Sequence, residues 1–157
     1  KVWLTEKDGI LMANAGIDES NGNGKIILLP KDSYASAARL RAALKKKFKL
    51  TKLGVIIVDS VPMPRRKGVV GVAVGYAGFK GVKDYKGKKD LFGRKFAFAS
   101  SNVADSLATA AMVMMGEGSE RAPLAVVEGA PVVFSNTVRK GDIQVSLKED
   151  MFGGLLP

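Results

Sequence analysis

The sequence of 157 residues contains neither cysteine nor histidine. Without cysteine, the chain can form no disulfide, no zinc–thiolate site and no thiol nucleophile. Without histidine, it lacks both the base of a Ser-His-Asp triad and imidazole metal ligands. Any chemistry must therefore come from carboxylates, hydroxyls, Lys, Arg, backbone amides or a hard metal ion. Oxygen-only ligands favour magnesium, manganese or calcium.

Long apolar runs are also missing from the sequence. No run approaches the roughly 18 residues that a membrane-spanning helix requires. The segment that begins at Lys1 has no signal-peptide pattern, and we expect a cytoplasmic protein without a membrane partner. Because the first residue is not methionine and the first residues read as a strand, we also expect the complete protein to extend upstream of Lys1.

Positive charge is abundant, since 25 basic and 15 acidic residues give a net charge of +10. Such an excess attracts partners that carry phosphate or carboxylate groups. The basic residues are densest at positions 45–49 and 80–89. The first cluster ends a predicted helix, where cations stabilise the negative end of the helix dipole. We prefer that interpretation of the cluster to a nucleic-acid-binding patch.

Hydrophobic periodicity predicts two helices. The first is capped by Asp32 or Ser33 and runs to about Phe48, and the second, capped by Ser101 or Asn102, runs from Val103 to about Met115. Strands outnumber helices, and the short connections favour antiparallel pairing. The predicted fold class is α+β, a mainly antiparallel sheet with about two main helices packed on it, in a single domain spanning residues 1–157. The predicted strands are residues 2–5, 10–13, 25–30, 53–58, 69–77, 96–99, 124–128 and 132–134.

The sequence also predicts which residues pack. Glycines 71, 75 and 78 punctuate a predicted strand, and they indicate close approach of its backbone to another strand or a ligand. The predicted buried face is Ala37, Leu40, Leu44 and Phe48 for the first helix, and Val103, Leu107, Ala110, Ala111 and Met114 for the second.

Three acidic segments stand out, at Asp18-Glu19, Asp59-Ser60 and residues 117–120. If they converge, their oxygens form a hard-metal site of the kind that also binds substrate phosphates. Residues 65–67, Arg-Arg-Lys, would then face the phosphate charge, which suits phosphoryl transfer. From spacing alone, solvated loop residues remain the common alternative.

Several motifs, in this order, resemble the coenzyme F-420 gamma-glutamyl ligase family. The resemblance runs from about Gly9 to the EDMF tail and covers the later two-thirds of the family's length. The motifs are ANAGIDESN at 13–21, Asp59-Ser60 followed by Pro64, Arg66 and Gly68, VAVGYAG at 72–78, D-x-x-G-x-x-D-x-x-G-R at 84–94 and MGEGSE at 115–120.

The resemblance implies a GTP-dependent ligase that uses magnesium or manganese, with room for a monovalent cation. It implies that the terminal carboxylate of a coenzyme F-420 precursor, or of a similar acceptor, is activated as an acyl phosphate. The amine of L-glutamate then attacks, and a gamma-linked amide forms. It further implies an intertwined homodimer and no nucleic-acid partner.

The resemblance also assigns roles to residues that match the family's motifs. Ser60 stands where the family usually has a metal-binding Thr, and its hydroxyl can serve the same purpose. Residues 115–122 are expected to line the nucleotide site, and Arg66 is the expected catalytic residue. The expected metal ligands are Asp18, Asp59, Ser60 and Glu117, and the expected nucleotide contacts are Asn21, Gly116, Gly118 and Ser119.

The loop after Asp59 departs from the family's pattern, which reads Asp-Thr-x-Gly-Arg-Pro-aromatic-Arg. Pro62 and Met63 replace the Gly-Arg pair, and Arg65 replaces the aromatic residue. The displaced guanidinium could restore the phosphate contact or indicate a different acceptor. Two other readings stay open: a non-catalytic relative that binds a phosphorylated ligand, and a basic nucleic-acid-binding domain.

Overall fold

The structure, a computed structural model, describes residues 3–155. Within this range the strands form three antiparallel pairs, β1 with β2, β3 with β4, and β5 with β6, so the α+β class is confirmed. The sheet of this fold is divided into these three separate two-stranded pairs. The elements are β1 (Leu4–Lys7), β2 (Ile10–Ala13), α1 (Ser33–Phe48), β3 (Val55–Pro62), β4 (Val69–Ala77), β5 (Val82–Asp84), β6 (Ser100–Asn102) and α2 (Val103–Met115), with short 3-10 turns at Asn14–Gly16 and Gly153–Leu155.

The β3–β4 pair lies at the centre, with both helices packed on β4 and with β2 against β3. One buried cluster joins Tyr76 of β4 to Ala104 and Ala108 of α2. Another joins Met12 of β2 to Val61 of β3. Burial of these apolar side chains fixes β3 between the N-terminal hairpin and α2, and β3 carries two of the predicted site residues.

Both helices begin and end near their predicted residues. The carboxylate of Asp32 caps α1 by accepting a hydrogen bond from the Ala35 amide at 2.8 Å, and the side chain of Asn102 caps α2 in the same way from Asp105 at 3.0 Å. Such caps satisfy backbone donors that the first turn leaves free. Three lysines, at positions 45–47, occupy the last turn of α1, as the dipole argument requires.

The predicted buried faces of the helices were partly wrong. Leu40 and Phe48 of α1 are exposed, and so are Ala110 and Met114 of α2. The fully buried positions are small residues, Ala37 in α1 and Ala104 with Ala108 in α2. The reason is the glycine-rich strand β4, which lets the helices approach closely: a side chain at Gly71 would meet Ala108, and one at Gly75 would meet Ser33.

Four predicted strands were also wrong. Residues 25–30 and 132–134 each contribute only an isolated bridge, between Ile27 and Asp18 and between Phe134 and Phe79. Residues 96–99 and 124–128 form no ladder, and the nearby strand is β6 instead. These runs have strand-like composition but lack an adjacent partner strand among residues 3–155, which composition alone cannot supply.

Two strand boundaries also differ from prediction. β3 was predicted at residues 53–58 but runs from Val55 to Pro62, so Asp59 and Ser60 lie within the strand. β1 was predicted at residues 2–5 and begins at Leu4; Val2 lies outside the described residues. No helix within residues 3–155 is both long enough and apolar enough to span a bilayer.

Candidate functional site

The acidic loop after β2 is held by its own side chains. The backbone of Asp18 exchanges hydrogen bonds with Ile27, at 3.1 and 2.7 Å. The hydroxyl and the amide of Ser20 donate to the Asp18 carboxylate at 2.7 and 2.8 Å. These donations, that of the hydroxyl first, lower the pKa of Asp18 and keep it ionised. Ser20, which had no predicted role, therefore positions a predicted metal ligand.

Asn21 joins this loop to the segment that follows α2. Its backbone is left-handed, with a φ of 54°, a conformation that asparagine tolerates better than most residues. Its side-chain amide donates to the carbonyl of Gly118 at 3.0 Å. Two segments about a hundred positions apart in the chain are thereby brought together. A predicted nucleotide contact thus reaches the predicted nucleotide-lining segment.

The end of β3 lies between these two segments. A β-bulge shifts the register between Ile57 and Val58, with Val74 of β4 as the unpaired residue. Bulges of this kind redirect the side chains that follow them. Side chains then alternate along β3: Val58 packs with the α2 cluster and Val61 with Met12.

Because of this alternation, Asp59 and Ser60 project to opposite faces of β3. Asp59 shares its face with Val61, on the side of the N-terminal hairpin. Ser60 shares its face with Val58, on the side of α2, and its hydroxyl donates to a carboxylate oxygen of Glu117 at 3.1 Å. The candidate site is therefore built as two pairs: Asp59 with the acidic loop on one face, and Ser60 with Glu117 on the other.

The environment of Asp59 disfavours its negatively charged form. Burial raises the pKa of Asp59, and the negative charge of Asp18 raises it further, against the lowering effect of a hydrogen bond from the Ser60 amide. Within residues 3–155 the only ion pairs within 4.0 Å join Asp8 to Lys7 and Lys140. A partly buried carboxylate beside a second carboxylate, without a basic partner, is an environment that a cation would stabilise.

The carboxylates are not gathered into a single cluster. In the part of the chain that the structure describes, no three acidic side chains lie close enough together to hold a metal ion. Asp59 and Ser60 lie on opposite faces of β3, and Glu117 pairs with Ser60, so the carboxylates of Asp59 and Glu117 do not meet. The donors are nevertheless all oxygen, so their chemistry suits a hard divalent cation.

The segment after α2 carries the other predicted nucleotide contacts. Gly116 has a φ of 75°, and a side chain there would overlap that of Glu120. The Glu120 carboxylate accepts a hydrogen bond from the Gly118 amide at 2.7 Å. This amide therefore already binds an anionic oxygen. Glu120 had no assigned role in the sequence analysis, and its contact shows that the Gly118 amide can bind an anionic oxygen. Ser119, another predicted nucleotide contact, is exposed.

The predicted catalytic residue, Arg66, lies in the exposed loop between β3 and β4. Its amide donates to the carbonyl of Met63 at 3.1 Å, which closes a turn. Arg65 within that turn is left-handed, with a φ of 59°. The described residues give the Arg66 side chain no hydrogen bond, so it is free to meet a ligand.

A comparison with protein-family models matches residues 1–129 to the F420-0:gamma-glutamyl ligase family. Among similar curated proteins, the coenzyme F420:L-glutamate ligase of Methanococcus maripaludis is 42% identical over 150 residues. The protein of the same name from Methanocaldococcus jannaschii is 43% identical over 152 residues, and that from Archaeoglobus fulgidus 40% over 148 residues.

These alignments cover 92–95% of the present chain and 57–60% of each relative. The chain thus spans about 60% of the length of the curated relatives that it matches. The match includes the acidic loop, β3, α2 and the segment that follows α2. The resemblance indicated by the sequence motifs is confirmed: this chain belongs to the F420-0:gamma-glutamyl ligase family.

Proposed function

We propose that this chain forms part of a ligase that joins L-glutamate, through a gamma-linked amide, to the terminal carboxylate of a coenzyme F420 precursor. GTP supplies the energy, and magnesium or manganese is the divalent cofactor. The observation that carries the proposal is the pair of contacts Asn21–Gly118 and Ser60–Glu117. They bring three segments of the chain, each rich in oxygen donors, to one region.

A divalent metal fits these residues by their chemistry. Asp18 and Asp59 would hold it on one face of β3; Ser60 and Glu117 lie on the opposite face and would supply oxygens to a separate cation there. When bound, the metal neutralises phosphate charge and polarises the phosphoryl group. Asp59, with its pKa raised by burial and by Asp18, is the group whose environment gains most from a positive charge.

The remaining residues would position the nucleotide. The Gly118 amide now donates to Glu120, and a phosphate oxygen would take the place of that carboxylate. Asn21, whose amide lies against the same segment, would contact the nucleotide. Arg66, on its exposed turn, would face the transferred phosphoryl group, where a guanidinium stabilises developing negative charge.

In the proposed reaction, an oxygen of the acceptor carboxylate attacks the γ-phosphorus of GTP. The bond between this phosphorus and the bridging oxygen breaks, and GDP leaves. The neutral amine of L-glutamate then attacks the acyl carbon of the acyl phosphate, a C–N bond forms, and inorganic phosphate leaves. The surplus proton on nitrogen passes to water. Throughout the reaction, Arg66 and the backbone amides stabilise the negative charge of the phosphoryl group and transfer no protons.

The test uses the longest protein that the gene encodes, with magnesium or manganese and a panel of deazaflavin acceptors that end in a carboxylate. We expect GDP and phosphate release that requires metal, acceptor and L-glutamate together. The acceptor should gain the mass of one or more glutamyl residues. GTP binding without acceptor-dependent turnover across the panel would overturn the ligase and favour a non-catalytic relative that binds a phosphorylated ligand.

We also propose that the protein acts as a homodimer, and that the turn between β5 and β6 meets the second copy. Leu91, Phe92 and Phe98 are 97, 95 and 89% exposed. The Asp90 carboxylate accepts hydrogen bonds from the amides of Phe92 and Arg94, each at 2.8 Å, which fixes the turn. Apolar side chains held in this way mark an interaction surface.

Replacing Leu91 and Phe92 together with serine should convert a dimer into a monomer, because it removes the apolar tip without altering the turn that holds it. Molar mass from light scattering after gel filtration measures the change. The matched control replaces Val113 and Met114, two exposed apolar residues of α2, and should remain dimeric. A monomeric unchanged protein, or a double variant that is still dimeric, would contradict the proposal.

A further inference from the structure

We propose that a pocket around Arg41, outside the candidate functional site, binds a small molecule that carries one carboxylate on an apolar body. The pocket lies between α1, the end of β4 and the C-terminal segment, and its volume is about 240 Å³. None of the residues with a proposed role in ligation lines it. The inference is therefore independent of the ligase proposal, and either can fail alone.

The pocket has three walls, each fixed by the fold. Two backbone hydrogen bonds tie the C-terminal wall to the end of β4, from Ser135 to the Gly78 carbonyl at 3.0 Å and from Lys80 to the Val133 carbonyl at 2.8 Å. The residues that the argument uses are Tyr34, Ala38 and Arg41 from α1, Tyr76 from β4, and Asn136 and Val138 from the C-terminal segment.

The guanidinium of Arg41 is held only by neutral acceptors. Its Nε donates to the carbonyl of Leu53 at 2.8 Å, and an Nη donates to the side-chain oxygen of Asn136 at 3.0 Å. Among residues 3–155, no carboxylate lies within 4.0 Å of it. A guanidinium has five N–H donors in a fixed fork, so a full positive charge and several donors remain for a ligand.

The backbone is shaped to let Arg41 take this position. Gly78 has a φ of 98°, and a side chain there would overlap both Nε of Arg41 and the Leu53 carbonyl. A glycine is therefore required where the guanidinium crosses the end of β4. This arrangement holds the guanidinium between the Leu53 carbonyl and Asn136, at the edge of the pocket.

The rest of the pocket is suited to an apolar body. The rings of Tyr34 and Tyr76 pack at a centroid distance of 5.5 Å, and Ala38 and Val138 complete the apolar lining. Burial raises the pKa of Tyr34 to about 12. Its phenol therefore stays neutral at physiological pH and adds no negative charge to the pocket.

Nearby acidic groups limit the charge that the pocket can accept. The charges of Asp142 and Asp105 both act on Tyr34 and Tyr76. Asp142 accepts a hydrogen bond from the Arg139 amide at 2.9 Å, and Asp105 accepts one from Ala73 at 2.8 Å. Because these acids act on the two tyrosines that line the pocket, they oppose a second negative charge there and favour a single carboxylate over a phosphate dianion.

The volume of the pocket further limits the ligands that can bind in it. Pockets for drug-sized ligands typically measure roughly 300–1,000 Å³, and this one, at about 240 Å³, is smaller. A nucleotide or a flavin coenzyme would extend beyond it. A single ring or a short alkyl chain with one carboxylate fits in it, with the carboxylate on Arg41 and the apolar part between Tyr34 and Ala38.

The test titrates benzoate and butyrate into the folded protein at constant ionic strength and follows the amide signals of Leu53 and Asn136 by NMR. We expect a Kd on the order of 1 mM, typical of a fragment-sized ligand. Benzamide, which has the same shape without the charge, should bind at least about tenfold more weakly. Inorganic phosphate should not shift these signals; equal binding of benzamide or phosphate would overturn the proposal.

Two charge variants separate a binding role for Arg41 from a merely structural one. Asn136→Asp gives Arg41 a carboxylate partner, which preserves its contacts but should weaken benzoate binding at least about tenfold. Asp142→Asn removes an opposing charge and should strengthen binding about twofold to threefold. A melting temperature within about 2 °C of the unchanged protein shows that each variant folds. Benzoate binding that is unaffected in both variants would overturn the proposal.

Discussion

Replacement of Asp59 with Asn is expected to abolish the thermal stabilisation of this protein by GTP with magnesium or manganese. At a ligand concentration 100 times Kd, binding stabilises the native state by about 2.7 kcal/mol, or roughly 5–10 °C at this size. Outer partners of metal ligands weaken binding about 10–100-fold when lost. Loss of a direct ligand should exceed this, which reduces the shift to about 1 °C.

In the absence of metal, replacement of Asp59 with Asn is expected to stabilise the protein. The folded-state pKa of Asp59 lies above its ordinary value of 3.8, because burial and the charge of Asp18 disfavour ionisation. The stabilisation from such a group is present at low pH and is lost as the pH rises from 3.8 through the folded-state pKa. At neutral pH without metal, Asp59→Asn should therefore melt higher than the unchanged protein, and the difference should shrink as the pH is lowered.

The control for Asp59→Asn is Glu19→Gln, which removes one negative charge from the acidic loop but no predicted ligand. Differential scanning calorimetry of both variants, with and without GTP and metal, separates loss of charge from loss of coordination. Glu19→Gln should retain most of the GTP–metal shift. If Asp59→Asn retained the full GTP–metal shift in melting temperature, Asp59 would not be a metal ligand. If both variants lost the shift equally, the loss would reflect the change in overall charge and not the loss of a ligand.

The helices could be predicted because their signals are local. Asp32 and Asn102 cap them through contacts three residues away, and apolar spacing gave their length. The strands at 124–128 and 96–99 could not be judged in this way, since a strand exists only beside a partner, which pairs through residues distant in sequence. Composition predicted strands there, and the chain supplies no adjacent edge within residues 3–155.

The site shows the same division between local and distant information. That oxygen ligands alone were available followed from the absence of Cys and His. The placement of Asp59 and Ser60 on opposite faces did not follow, because the predicted strand ended at Val58, one residue before them, and a bulge precedes them. The family motifs named a set of candidate residues but carried no information on which pairs meet, such as Asn21 with Gly118.

The glycines of β4 indicated close approach, and the structure identifies what approaches. At Gly75, a Cβ atom would lie 2.5 Å from the carbonyl carbon of Ser33 and 2.7 Å from its Cβ. At Gly71, it would lie 2.8 Å from the carbonyl oxygen of Ala108. The neighbours are the helices α1 and α2, whereas the sequence had suggested a strand or a ligand. The absence of side chains at these two glycines sets the distance from the helices to β4.

Gly75→Ala should therefore be among the most destabilising single-methyl changes in this protein. The atoms that it would meet belong to the first residue of α1, which Asp32 caps and which is buried, so no flexible side chain can move aside. Overpacking of this kind typically costs about 1–3 kcal/mol, or roughly 2–12 °C in melting temperature at this size. Thermal unfolding followed by circular dichroism measures the loss.

The matched control is Gly154→Ala, where the added methyl group would meet nothing within 4 Å. It removes the same backbone freedom from the unfolded chain, so it should leave the melting temperature unchanged or raise it slightly. The difference between the two variants isolates the clash with α1. Because Gly75 pairs with Ile57, immediately before the bulge that precedes Asp59, Gly75→Ala should also weaken GTP–metal binding. A Gly75→Ala protein as stable as Gly154→Ala would show that α1 can shift away from β4, and that the helix does not hold the end of β3 in place.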